Sequence, residues 1–201
     1  MSEEHELCIN LITLGNSTVG KTCYLVRNTE NKFSPALSTI GYNVIVKKIE
    51  LKNGKKVNIK FYDTSGQERY HSLAPNFIKR ADGIILMYDI TNRESFDTIS
   101  KWRKDIMDYK EKDFPVILVG NKTDLEDQRQ VQKEEGENLA KEFNFKFFEV
   151  SNKDGTNIEE SSRELINTIL SKESIEIKPK SVKLSKKKLK KRNCFFSKIK
   201  C

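Results

Sequence analysis

Gly15-Asn16-Ser17-Thr18-Val19-Gly20-Lys21-Thr22 sets two glycines, a lysine and a threonine at the spacing G-x-x-x-x-G-K-[ST]. Glycines let the backbone wrap close to a phosphate, and the amides from Ser17 through Cys23, opening a helix, supply positive potential. Lys21 would reach β- and γ-phosphates, and the Thr22 hydroxyl would ligate Mg²⁺. Asn121-Lys122-Thr123-Asp124 is a second such segment. The Asp124 carboxylate can accept both the N1 and N2 protons of guanine, whereas adenine would turn a lone pair toward it; a polar site of that kind rejects the wrong base by about 10⁴-fold. Ser151-Asn152-Lys153 follows downstream as the third base-side segment. Between them, Asp63-Thr64-Ser65-Gly66-Gln67-Glu68 offers Asp63 to hold Mg²⁺ through water, the Gly66 amide for a γ-phosphate, and Gln67 to orient an attacking water.

Such residues work only where ordered elements hold them. Leu7 to Leu14 is a mostly apolar run ending at Gly15, the pattern of a strand buried on both faces, and Lys21 to Asn28 suits a short helix. Val44 to Leu51 and Val57 to Tyr62 flank Lys52-Asn53-Gly54-Lys55, which predicts an antiparallel hairpin. Ile84 to Tyr88, Val116 to Gly120 and Phe145 to Val150 are three more strand-like runs, each followed by a helical pattern. In the first of those helices Phe96, Ile99, Trp102, Ile106 and Tyr109 form the buried face, with Thr91 and Glu94 as capping box. In the last, Thr156 and Glu159 repeat the box ahead of Ile158, Leu165, Ile166 and Ile169. Strands alternating with helices predict an α/β sandwich on a mostly parallel sheet.

Composition narrows the function classes. The chain is 36% apolar and 33% charged, and its longest apolar runs, such as Ile84 to Met87 and Val116 to Val119, are far shorter than the roughly 20 residues of a membrane-spanning helix. The acidic start Met1-Ser2-Glu3-Glu4-His5-Glu6 is unlike a secretory leader, so a cytosolic chain is expected. The net charge of +8 is unevenly spread. Eleven of the 37 Lys and Arg fall in residues 178 to 201, which hold no Asp or Glu; the remaining 26 face 29 acidic residues, leaving 1 to 177 at −3. The four cysteines, Cys8, Cys23, Cys194 and Cys201, form no CxxC pair, which argues against zinc and against a disulfide framework.

With these segments in order, the chain resembles the Ras-like small GTPases and, within them, the Rabs. The likeness rests on Asp63 through Pro75, on Met87-Tyr88-Asp89-Ile90-Thr91 and on Ser95-Phe96, and covers about residues 6 to 170; Arg69 to Pro75 looks most like the early-endosomal Rabs. The resemblance implies a P-loop NTPase fold of the three-layer type: a six-stranded, mostly parallel sheet with one antiparallel edge strand, about five helices and two nucleotide-sensitive switches. It makes Ser38-Thr39-Ile40-Gly41 the first switch, with the Thr39 hydroxyl on Mg²⁺ and its amide on the γ-phosphate. It sets Phe33 and Lys122 against the two faces of guanine and the Asn152 amide on the guanine oxygen, beside Ser151 and Lys153. Without it, Phe33 reads as a core aromatic.

Four departures stand out. The usual Ile-Gly-Val-Asp-Phe is Ile40-Gly41-Tyr42-Asn43-Val44, which loses an aromatic from the effector surface. Phe33 lies one residue closer to Thr39 than usual, Ser65 replaces an alanine, and Asn152 replaces the alanine of Ser-Ala-Lys. No arginine in cis is recognisable near the phosphates, so slow intrinsic hydrolysis and an external GTPase-activating protein are expected. A GTP-dependent scaffold with negligible turnover is the alternative raised by Ser65 and the shortened switch.

The boundaries expected are a GTPase domain over 1 to 174 and a disordered basic tail over 175 to 201. Lys186 to Arg192 alone fits a nucleic-acid patch, an import signal or a membrane-surface anchor. The Rab resemblance selects the last, because Rabs are geranylgeranylated on terminal cysteines; Cys201 is then the main lipid site and Cys194 a second candidate. Lipid plus polybasic stretch is the two-signal combination that holds a protein to a membrane. It also implies an exchange factor, an activating protein, a GDP-dissociation inhibitor or escort protein, and effectors at the switches. A monomer on the cytoplasmic face of endomembranes, with a cytosolic pool and no nucleic-acid partner, is expected.

Overall fold

A computed structural model of the chain describes residues 7–33, 42–51, 54, 56–64 and 74–172. Thr39, Ser65, Gly66, Gln67, Cys194 and Cys201 lie outside the described residues, as does the basic tail. In chain order the elements are β1 (Leu7–Leu14), α1 (Lys21–Glu30), β2 (Tyr42–Glu50), β3 (Lys56–Thr64), α2 (Ala74–Arg80), β4 (Gly83–Asp89), α3 (Arg93–Asp97), α4 (Ile99–Met107), β5 (Val116–Asn121), α5 (Lys133–Phe143), β6 (Lys146–Val150) and α6 (Ile158–Lys172). A 3₁₀ stretch, Thr123–Gln128, lies between β5 and α5.

The six strands form one sheet in the order β2-β3-β1-β4-β5-β6. Every pair is parallel except β2 with β3, whose register runs from Tyr42 opposite Thr64 to Glu50 opposite Lys56. The hairpin turns at Gly54, whose φ of 84° is left-handed and whose N–H donates to the Leu51 carbonyl at 2.9 Å. Successive strand residues face opposite sides, so each strand feeds two cores. Leu11, Ile85 and Met87 join Tyr24 and Leu25 of α1 and Leu165, Ile166 and Ile169 of α6 in one cluster. Ile12, Ile84 and Leu86 join Ile78 of α2, Trp102 and Ile106 of α4 and Ala140 and Phe143 of α5 in the other. The sandwich is the three-layer α/β fold expected, and α6 ends with Leu170 fully buried and Lys172 donating to the Asp113 carbonyl at 2.7 Å.

The sequence reading of the helices needs four corrections. The single helix expected across Phe96 to Tyr109 is broken at Thr98 into α3 and α4, giving six α-helices among the described residues. Its cap is Asn92, whose side chain accepts from the Ser95 N–H at 3.1 Å, because the Thr91 hydroxyl is taken by Asp89 at 2.7 Å. Tyr109 lies past the end of α4, 42% exposed, under the Lys79 ammonium. Thr156 does not cap α6 either: Asn157 has a φ of 55°, which no first-turn helical residue adopts, and α6 starts at Ile158.

Candidate functional site

The loop from Gly15 to Gly20 leaves the C-terminal end of β1 and enters α1 at Lys21. Both glycines of the motif are dictated by neighbours. Gly15 has a φ of 136°, and a Cβ there would come 2.2 Å from the Met87 carbonyl oxygen of β4. Gly20, at a φ of 99°, has the Nδ2 atoms of Asn121 and Asn152 where its Cβ would stand, at 2.4 and 2.7 Å. Any other residue would push the loop off the sheet or break its side-chain ties.

Lys21 is 5% exposed, and its ammonium donates to the carbonyls of Gly15 at 2.9 Å and Asn16 at 2.7 Å. Burial pulls its pKa down to about 8, with the Asp63 carboxylate acting in the opposite sense. A cation so desolvated gains strongly from an anionic ligand. The Thr22 hydroxyl donates to Asp63 Oδ2 at 2.7 Å, so α1 and the end of β3 bring a hydroxyl and a carboxylate together. Those hard oxygen donors fit Mg²⁺, which keeps waters and phosphate oxygens around one or two protein ligands. Ser17 is half-buried, Thr18 exposed with a φ of 63°, Val19 buried in the α1 core, and Cys23 partly buried.

The base-side segments close on the same loop. Asn121, 1% exposed at the end of β5, donates through Nδ2 to the Val19 carbonyl at 2.7 Å. Asp124 accepts from the Ser151 hydroxyl at 2.7 Å, and Ser151 accepts from the Asp154 N–H at 3.0 Å. One carboxylate oxygen is therefore oriented by a fully buried serine. Lys122 adopts a φ of 71° and pairs with Asp89 Oδ2 at 2.6 Å, while Asp89 Oδ1 accepts from the Thr91 N–H and hydroxyl. Arg27 of α1 donates through Nε to the Asn152 carbonyl at 2.9 Å and through a guanidinium nitrogen to the Lys153 carbonyl. Phe33 is 45% exposed, which overturns the core reading its residue type alone suggests.

Some of these contributors carried no local signal. Asp89 entered the sequence reading only as a resemblance marker, Arg27 not at all, and the Asn152 side chain only as a replacement for alanine. Their partners lie 33 to 132 positions away, beyond any motif.

On the opposite side of the hairpin, Tyr42, Val44 and Val46 stand exposed along one face of β2. The Tyr42 ring packs 5.0 Å from Phe77 of α2, and Phe77 lies 5.9 Å from Tyr62. Asn10, Ile12 and Arg80 complete the groove around these rings. The aromatic missing at position 44 is thus matched by one at position 42 on the same face.

Comparison with known proteins agrees with this geometry. The sequence model described as Ras family matches residues 10–171. Ras-related protein Rab-10 of Diplobatis ommata is 43% identical over 169 residues, covering 84% of this chain and 84% of that protein. Ras-related protein Rab-8B of Homo sapiens is 40% identical over 173 residues, 86% of this chain and 83% of its own. Ras-related protein Rab-15 of Rattus norvegicus is 42% identical over 171 residues, 85% and 80% respectively.

Proposed function

Since the chain belongs to the Ras family and is a small GTPase of the Rab kind, we propose that it is a Mg²⁺-dependent GTP/GDP switch that hydrolyses GTP slowly and regulates vesicle traffic from a membrane surface. The observation that carries the reading is the closure of three separate segments on one loop, typified by Asn121 Nδ2 on the Val19 carbonyl at 2.7 Å. In this reading the amides from Ser17 to Cys23 and the Lys21 ammonium hold the phosphates. Thr22, Thr39 and Asp63 hold Mg²⁺, which when bound neutralises charge developing on the phosphate oxygens. Asp124, fixed by Ser151, selects guanine; Phe33 and Lys122 flank the base, with Asn152 and Lys153 beside it. Gln67 orients the attacking water, and the Gly66 amide reads the γ-phosphate.

The output is conformational, because the γ-phosphate orders the switches and its loss releases them. Effectors would dock on the surface that exposed Tyr42 and Val44 form with half-buried Phe77, and exchange factor, activating protein and GDP-dissociation inhibitor or escort would act on the switches. Among the described residues no helix is long and apolar enough to cross a membrane. Attachment is assigned to the basic tail from 175 onward, lipidated at Cys201 and secondarily at Cys194. Those two signals would give a protein on the cytoplasmic face of endomembranes with an extractable GDP-bound pool.

Calorimetry with GDP, GTP and ATP tests the core of the reading. Binding of both guanine nucleotides and exclusion of ATP is expected; no nucleotide binding, or tighter ATP than GTP, would overturn it. Single-turnover hydrolysis with a GTPase-activating domain tests the chemistry. Release of phosphate by the unaltered protein and its loss in Gln67→Leu is the expected pair of results.

A further inference from the structure

Asn152, where the resemblance leads to alanine, has a side chain with a definite partner. It is 5% exposed, and its Nδ2 donates to the Gly20 carbonyl at 2.9 Å. The carboxamide cannot be turned the other way, because Oδ1 would then meet a carbonyl oxygen with no proton between two acceptors. Its own Oδ1 is buried without a hydrogen-bond partner among the described residues, so the carboxamide's one contact of this kind is the phosphate loop. The backbone at the same residue is fixed as well, since Arg27 Nε donates to the Asn152 carbonyl at 2.9 Å. Two consecutive carbonyls of the loop, Val19 and Gly20, are thus each held by an asparagine, one closing β5 and one following β6. The missing Cβ of Gly20 leaves the gap that the Asn152 amide fills, 2.7 Å from where that carbon would be.

We infer that Asn152 is a positioning residue: by tying the base-side loop to the phosphate loop through the Gly20 carbonyl, it slows release of bound nucleotide. An alanine could supply the backbone amide but not this bond. The inference rests on the nucleotide-binding reading above and adds to it a second brace whose loss lets the two loops part. Losing one buried hydrogen bond shifts such an equilibrium by roughly three- to tenfold.

Release of mant-GDP, a fluorescent GDP analogue, from the full chain tests this, comparing the unaltered protein with Asn152→Ala and Asn152→Leu. Leucine keeps most of the volume and lacks the donor, so it separates hydrogen bonding from packing. Both variants should release mant-GDP about three- to tenfold faster. Their association rate constants should stay within about twofold, since docking of a preformed site governs association and tie strength governs release. Release at the original rate in either variant, or slower association with unchanged release, would overturn the inference, because general loosening of the fold lowers the competent fraction and shows in association. If the unaltered protein bound no mant-GDP, the nucleotide reading itself would fail, a result distinct from ordinary binding with unaltered release.

Discussion

The nucleotide end of the sheet and the outer face of β2 are built on opposite plans. At the first, side chains bond to backbone, from remote parts of the chain in Asn121 to Val19, Asn152 to Gly20 and Arg27 to Asn152, and from within the loop's own helix start in Lys21 to Gly15 and Asn16. Its side-chain donors are committed to backbone before any ligand arrives, while the buried Oδ1 atoms of Asn121 and Asn152 have no hydrogen-bond partner among the described residues, a preorganised arrangement that spares a ligand the cost of ordering it. On β2, Tyr42 is 56% and Val46 50% exposed, and contacts are apolar rings rather than directed bonds. A surface of that kind accommodates partners of varied shape, whereas the cradle accepts one ligand class. Specificity for a small molecule and versatility toward proteins are here divided between the end of the sheet and the outer face of its edge strand.

Substitutions should separate the two plans. Lys21→Ala removes the buried ammonium and should weaken GDP binding on the order of 10³-fold by calorimetry, the largest effect expected of any side chain here. Asp124→Ala deletes the base-reading carboxylate and should cost about 10²-fold in GDP affinity, with discrimination against ATP falling in the same titrations. Ser151→Ala leaves that carboxylate present but loosely oriented, and should cost about tenfold. Tyr42→Ala should leave GDP affinity unchanged while lowering stability by about 1 kcal/mol in urea melts, the worth of one aromatic pair. Val46→Thr, on an exposed strand position where a β-branched residue is kept, should move stability by less than about 0.5 kcal/mol and GDP affinity not at all. A large loss of GDP affinity in either β2 variant would break the division, and a small one in Ser151→Ala would show the cradle to be less braced than its hydrogen bonds suggest.

Much of the cradle was legible because its parts are local. A strand, a glycine loop and a helix start follow within Leu7 to Glu30, and Gly54 announces its hairpin within four residues. Backbone conformation of this sort is written in neighbouring residues, and hydrogen bonds tie Lys21 to Gly15, Thr22 to Asp63, Asn121 to Val19 and Ser151 to Asp124 at that end of the sheet. Competition was harder to read. Thr91 and Asn92 are both good caps, and it is Asp89, two residues before Thr91 and held on its other oxygen by distant Lys122, that occupies the Thr91 hydroxyl. Likewise Asn152 meets Gly20 across 132 positions, and Tyr42 meets Phe77 only after a hairpin and a helix have folded. Periodicity also overran at Tyr109, since a helical pattern continues on paper after the helix has ended at Met107.

The buried end of α6 fixes a length. Leu170 is sealed in the core two residues before the helix finishes. Residues 173 to 201 follow the helix, and covalent geometry alone limits such a length of chain to a span of about 100 Å. Anything gripping its last residue therefore confines the whole domain to a shell of that radius, turning a search through the volume of the cell into a patrol over a nearby surface.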